Sequence, residues 1–408
     1  MGLREESLEL HRVNRGKLAV VSKVQVRNAK ELSLAYSPGV AEPCKEIAAD
    51  PVLSYEYTNR GNSVAVVSDG TAVLGLGDIG PEAGLPVMEG KAILFKNFAD
   101  IDGFPICLAT KNVDEVVQAV KWLEPTFGGI NLEDISGPRC FEIEERLKKT
   151  LNIPVFHDDQ HGTAVICCAG LMNALKVVGK EISQVKVVVS GGGAAGIAIS
   201  QMLINIGITP ANIRICDKDG LLRPGATANP YQEKMALLTN PGGERGNLAD
   251  ALVGADAFIG VSAPGIVSQA MVRSMAPKAI VFGMANPVPE IMPDEALAAG
   301  AAVVGSGRSD MQNQINNLLG FPGIFRGALD VRASEINEAM KLAATEAIAG
   351  LVTEEELSTE YVIPKPFDRR VVPAVALAVA QAAVNTGVAR EPKSLEELKA
   401  GLMKRGLL

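Results

Sequence analysis

Residues 186–217 contain the arrangement that leaves this chain least freedom. The apolar run KVVVS leads straight into GGGAAG, then into the helix-forming IAISQMLINIG, then into IRICD. A strand, a glycine turn, a helix and a second strand in that order define a parallel βαβ unit with the turn at the strand's carboxyl end. Gly191, Gly193 and Gly196 form GxGxxG, with Ala194 and Ala195 between the last two. Such a turn lets backbone approach a pyrophosphate closely and presents the free N–H groups of a helix start to it. Asp217 ends the following strand, where the ribose of a dinucleotide needs an acceptor.

The same alternation continues through ADAFIGVS, AIVFGMANP and AAVVGSG, each read as a strand end followed by helix. The expected fold class is therefore α/β, with a doubly wound, Rossmann-type sheet over 161–330. Ligands of such sheets lie beyond the strands' carboxyl ends, so Ser262 and Asn286 should border a nicotinamide. Residues 1–160 read as an α/β domain for substrate and metal, and 331–408 as helices packing back on both. Within the first part, NSVAVVSDGTAVLGLG reads as a hairpin turning at Asp69-Gly70. Val113–Leu123 and Phe141–Leu151 have helical periodicity, and IPVF is a short buried strand. Thr163–Val178, VVPAVALAVAQAAV and LEELKAGLMKRGLL read as helices, the first joining the domains.

At 408 residues the chain is long enough for two cores. Its net charge of −8 argues against a nucleic-acid surface. The charged start lacks the apolar core of a secretory signal, and no span is evident, so no membrane partner is expected. The six cysteines include no CxxC pair and are expected to be buried, reduced thiols in a cytoplasmic protein.

The segment FHDDQHGTA places His157 and His161 on either side of Asp158-Asp159. Two histidines four apart can share a helix face and bind zinc, but the glutamate of HExxH is missing. Glu133-Asp134, in GGINLEDISGP, is a second acidic pair after a short apolar run. Carboxylates from two strand ends suit Mg²⁺ or Mn²⁺, which prefer oxygen ligands. The plainer alternative is that Asp158 or Asp159 caps the helix that follows. Tyr36, before a Ser-Pro-Gly turn, is expected to be exposed. Lys91 opens an apolar helical run, where a solvated lysine would gain little.

Together, SLAYSPGVAEPC, LGLGDIGPEAGLPVMEGKAILF, GGINLEDISGPRCFEIE, IPVFHDDQHGTA, ANPVPE and GRSDMQNQINNLLGFPGIFRGALD resemble the malic enzyme family in its short prokaryotic form. The resemblance implies oxidative decarboxylation of L-malate to pyruvate and CO₂, with NAD⁺ or NADP⁺ and a divalent cation. It makes Tyr36 the general acid, Lys91 the general base, and Glu133, Asp134 and Asp159 the metal ligands. Asp158 would orient or tune the lysine, Asn286 and Asn317 would bind substrate, and both histidines would pack or hydrogen-bond around the metal loop. As a base, Lys91 would need a lowered pKa, which burial and a cation favour.

Two features depart from the family pattern. DGTAVLGLGD lacks the arginine that grips a substrate carboxylate in many larger members, and Gln312 stands where proline is more usual. The short form implies a homodimer, with residues 1–30 on the partner and Tyr36 or Lys91 near the other subunit's metal. Asp217 favours NAD⁺ by repelling a 2′-phosphate, although Lys218 and Arg223 could offset part of that. An amino-acid dehydrogenase would also join a lysine-bearing domain to a dinucleotide domain, but needs no acidic pairs. A nucleotide-sensing scaffold would tolerate loss of the acid, base and ligands.

Overall fold

Two parallel sheets organise the chain. The computed structural model describes residues 2–308 and 310–408, so Ser309 of the GRSDMQNQINN motif lies outside the described residues. The first sheet has the order β2-β1-β3-β4, from β1 (Ser63–Ser68), β2 (Asp102–Cys107), β3 (Gly129–Leu132) and β4 (Val155–His157). The second sheet comprises β5 (Val187–Ser190), β6 (Ile213–Asp217), β7 (Gly220–Leu221), β8 (Ala257–Gly260), β9 (Ile280–Gly283) and β10 (Val303–Ser306). Its order is β10-β9-β8-β5-β6-β7, parallel except for the short β7. The order reverses between β5 and β8, the crevice where doubly wound sheets take their ligands. β5, β8 and β9 are buried along their whole length, as strands covered by helices on both faces must be.

The hairpin expected at Asp69-Gly70 does not form. β1 pairs in parallel with β2 on one edge and β3 on the other, leaving no edge for a returning strand. Leu74–Leu76 is instead a single 3₁₀ turn. Asp69 is buried rather than at an exposed tip, accepting from Arg139 Nη1 at 2.7 Å. Gly70 has φ +70°, and a Cβ there would lie 2.2 Å from the Gly80 carbonyl oxygen. The loop thus folds onto the start of helix Pro81–Ala99.

The joining helix begins earlier than the sequence suggested, at Asp158, and runs to Val178 with His157 at its N-cap. Neither aspartate caps it. Gly179, at φ +69°, ends it in a left-handed conformation that glycine adopts without a steric penalty. By length and composition this helix could cross a bilayer, yet most of it is buried inside the protein. Asn173 on it donates to the carbonyls of Ala349 and Val362, tying it to the C-terminal region.

Helices Phe321–Asp330, Glu338–Gly350, Val371–Asn385 and Leu395–Lys404 complete the chain. Glycine permits a close crossing of the first and third of these: a Cβ on Gly327 would sit 2.4 Å from the Ala376 carbonyl oxygen. Phe95 meets Phe321 and Phe325 edge-on, with centroids 4.8 and 5.3 Å away, joining the first sheet's helix to this group. All six cysteines are free, and Cys140, Cys167, Cys168 and Cys216 are buried. Cys107 is half-buried, and Cys44 is exposed because its helix, Ala41–Ala49, buries no residue at all.

Candidate active site

A cleft of about 850 Å³ opens where the carboxyl ends of the two sheets face each other. On the dinucleotide side it is lined by Ala194, Ala195, Ser262 and Asn286. The glycines divide the local work. Gly191 has φ +120° and lies against the Val261 carbonyl, and a Cβ on Gly196 would strike the Gly191 carbonyl oxygen. Gly193, the N-cap of helix Ala194–Asn205, has open space where its Cβ would be, the cradle a pyrophosphate needs.

Asp217 ends β6 beside this turn. Its Oδ2 accepts from Gln232 Nε2 at 2.9 Å, and the same amide nitrogen donates to the Gly192 carbonyl at 2.9 Å. Gln232 is buried and starts a helix behind the turn. Nothing in the sequence pattern marks it, because the contact spans 15 to 40 residues.

Opposite, Glu133 and Asp134 follow β3, and Asp159 lies in the first turn of the joining helix. One carboxylate oxygen from each lies within 4.8 Å of the others. Asp134 has φ +53°, a conformation aspartate tolerates better than most residues. Its N–H donates to Asp159 Oδ2 at 2.8 Å, while its own buried Oδ2 has no hydrogen-bond partner among the described residues. Lys91 is buried, with Nζ 2.6 Å from Asp158 Oδ2, 2.9 Å from Glu133 Oε1 and 4.2 Å above the Phe321 ring.

Four carboxylates therefore face a single ammonium. Burial, then repulsion from Asp159 and Glu133, pushes the Asp134 carboxyl up. Burial likewise raises Asp159, against the pull of Lys91. Excess buried negative charge with an unpartnered oxygen suits a hard divalent cation. The expected lowering of Lys91 is not what the structure shows. Burial does oppose its charge, but Asp158 and Glu133 outweigh burial and hold it protonated.

Of the two histidines, His161 is turned away from this oxygen cluster and His157 lies beside it. His161 Nε2 lies 2.8 Å from Glu144 Oε1, and its Nδ1 lies 3.1 Å from Lys341 Nζ. His157 is fully buried, neither ring nitrogen has a hydrogen-bond partner among the described residues, and its Nδ1 lies 3.9 Å from Asp159 Oδ2. Asn317 lines the cleft beside Asn316. Gln312 is exposed on the loop before them.

Tyr36 is not brought to the cleft. It follows helix Ala29–Ala35, is 69% exposed, and is absent from the described lining. Conversely, His11 and Lys17 line the cleft from the N-terminal segment, which sequence reasoning did not anticipate. Lys17 reaches it by donating from Nζ to the Pro86 carbonyl at 2.6 Å. With Lys91, it supplies the lysines among the described lining residues, and no arginine lies there.

A doubly wound dinucleotide fold facing an acidic, lysine-bearing cleft across a second parallel sheet is the architecture of a two-domain dehydrogenase. Residues 15–148 match the malic enzyme N-terminal domain and 160–384 the malic enzyme NAD binding domain. The chain belongs to the malic enzyme family. It is 62% identical to the bifunctional malic/malolactic enzyme of Bacillus subtilis, over 98% of this chain and 97% of that one. Identity to the NAD-dependent malic enzyme of Geobacillus stearothermophilus is 58%, over 92% of this chain and 78% of that one. The crystal structure of malic enzyme from Pyrococcus horikoshii superposes with a TM-score of 0.94 at 50% identity, covering 99% and 96% of the two chains.

Proposed function

We propose that this chain oxidatively decarboxylates L-malate to pyruvate and CO₂ while reducing NAD⁺ or NADP⁺, with Mg²⁺ or Mn²⁺ held by Glu133, Asp134 and Asp159. The observation that carries this reading is the convergence of those three carboxylates with Lys91 at one end of the cleft and the glycine turn at the other. When bound, the cation would supply Lewis acidity at the malate C2 oxygen and the nicotinamide a hydride acceptor.

The protein's own groups account for the proton movements. Lys91 Nζ takes the proton from the C2 hydroxyl, and Asp158 and Glu133 fix where that nitrogen points. It acts as a base only when the field of these carboxylates is offset, because burial then favours its neutral form. Asn286 and Asn317 bind the substrate's carboxylate and hydroxyl oxygens across the cleft. Tyr36 Oη supplies the proton that ends at C3 of pyruvate. Asp217, Ser262, Gly191, Gly193, Ala194, Ala195 and Gly196 hold the dinucleotide, with Asp217 favouring NAD⁺.

A second part of the reading concerns assembly. Among the described residues none before Ser54 is buried, and Leu8, Val13, Val20, Val21 and Leu34 all face outward. Such an apolar segment bearing an exposed Tyr36 fits a homodimer in which it packs on the partner and delivers Tyr36 to the partner's cleft. Six free cysteines fit a reducing, cytoplasmic setting.

The test is reduction of NAD⁺ and NADP⁺ by L-malate with and without Mn²⁺, with pyruvate and lactate both measured. Metal-dependent pyruvate formation is expected. Dinucleotide reduction indifferent to metal removal would overturn the reading.

A further inference from the structure

Glu290 is fully buried at the floor of the cleft's dinucleotide side, yet it is not among the residues lining the cleft. Its carboxylate is occupied on both oxygens by two different loops. Oε1 accepts from the Ser262 backbone N–H at 2.8 Å and lies 3.4 Å from the Ser262 hydroxyl, just past the end of β8. Oε2 accepts from the Ala285 N–H at 3.1 Å, just past the end of β9. Burial raises its pKa, and these N–H donors work against that rise.

The surroundings are built around this side chain. A Cβ on Gly260 would fall 2.4 Å from the Glu290 carboxyl carbon, so the last residue of β8 leaves room for it only as glycine. The Glu290 carbonyl accepts from Val267 N–H at 3.0 Å, fastening the segment beyond Ser262 as well. Ser262 Oγ is 3.0 Å from Ser190 Oγ, at the end of β5. One carboxylate thus ties together the carboxyl ends of two neighbouring strands, β8 and β9, with β5 joined to them through the Ser262 hydroxyl, and Ser262, Ala285 and Asn286 reach the cleft from these ends.

We propose that Glu290 is a positioning residue for the reaction: it sets the spacing of the Ser262 and Asn286 loops that receive the nicotinamide end of the dinucleotide and the substrate. This rests on the functional reading above for the identity of the ligands. A carboxylate is the group that can do this, since both its oxygens accept. An isosteric amide turns one acceptor into a donor facing an N–H, and that loop must move away.

The test uses full-length protein with NADH binding followed by its own fluorescence, and malate kinetics with Mn²⁺. In Glu290→Gln the NADH dissociation constant and the malate KM should each rise on the order of ten-fold, because a loop displaced from its partner no longer meets both ligands in register. kcat should fall less, and both constants should shift whatever the change in thermal midpoint. Glu290→Asp, which keeps the charge but is too short to span both loops, should fall between the two. If Glu290→Gln binds NADH and malate as the wild type does, losing only thermal stability, the proposal is overturned. Should that variant not fold, Gly260→Ala crowds the same carboxylate from below, and an unchanged NADH constant there overturns it equally. A wild type that binds NADH but does not oxidise malate would sink the functional reading while leaving the NADH comparison intact.

Discussion

Lys91 Nζ sits 2.6 Å from Asp158 Oδ2 and 2.9 Å from Glu133 Oε1, so one buried ammonium bridges the two acidic pairs. Replacing it should therefore affect chemistry far more than dinucleotide binding, whose turn lies across the cleft. Lys91→Ala is expected to lower malate oxidation by on the order of 10³-fold, with the NADH dissociation constant little changed. Single-turnover kinetics beside an NADH titration would check this, and a variant retaining a tenth of the wild-type rate would remove the lysine from its role as base.

Tyr36 offers a test of assembly and of its own role at once. Tyr36→Phe should slow protonation at C3, read as loss of tritium exchange into pyruvate. Mixing inactive Lys91→Ala with Tyr36→Phe subunits should restore part of the activity, because each mixed dimer then holds one site with both residues intact. No recovery after verified subunit exchange would mean that the tyrosine does not act across a dimer.

The three converging carboxylates make a sharp prediction about metal. Asp159→Asn should weaken Mn²⁺ binding strongly, whereas His161→Gln should leave it near wild type, since His161 is turned towards Glu144. Mn²⁺ titration by electron paramagnetic resonance separates the two. Loss of Mn²⁺ binding in the histidine variant alone would reverse the assignment.

Cofactor choice should follow Asp217. Its carboxylate is anchored by Gln232 and cannot easily swing aside, so a 2′-phosphate meets a fixed negative charge. The ratio of kcat/KM for NAD⁺ over NADP⁺ should exceed one and should fall in Asp217→Ala. A wild-type preference for NADP⁺ that Lys218→Ala weakens would give the lysine the deciding part.

Acid stability should depend on Glu144. Burial alone would raise its pKa, but the Lys148 ammonium and the hydrogen bond from His161, whose own pKa burial lowers to about 4, outweigh this and hold it well below the usual carboxylate range. With the folded value below the unfolded one, the unfolded chain binds more protons as the pH falls. Its contribution is complete above about pH 4.5 and is lost as the pH drops through the lower folded value. Glu144→Gln should cost on the order of 1.5–3 kcal/mol at pH 7, the loss of a charge-assisted contact to a buried carboxylate. The deficit should shrink in acid, and calorimetry showing a gap independent of pH would contradict it.

What the sequence determined by itself were the features written in neighbouring residues. KVVVSGGGAAG and IRICD specify a βαβ unit because a strand, a turn and a helix start follow from local geometry, and the helices at Val113–Leu123 and Ala194–Asn205 follow from periodicity. The acidic pairs were visible for the same reason. Tertiary structure alone decided the rest. SVAVVSDG looked like half of a hairpin, since a strand's text does not say which edges its neighbours will occupy. Lys91 looked like a lysine that burial would neutralise, and only the fold brought Asp158 to it across 67 residues. Gln232 and Glu290 carry no local mark, because each acts by hydrogen-bonding backbone and side chains that only folding brings near. Tyr36 was legible as a motif, but its distance from the cleft depends on packing that no single stretch of chain encodes.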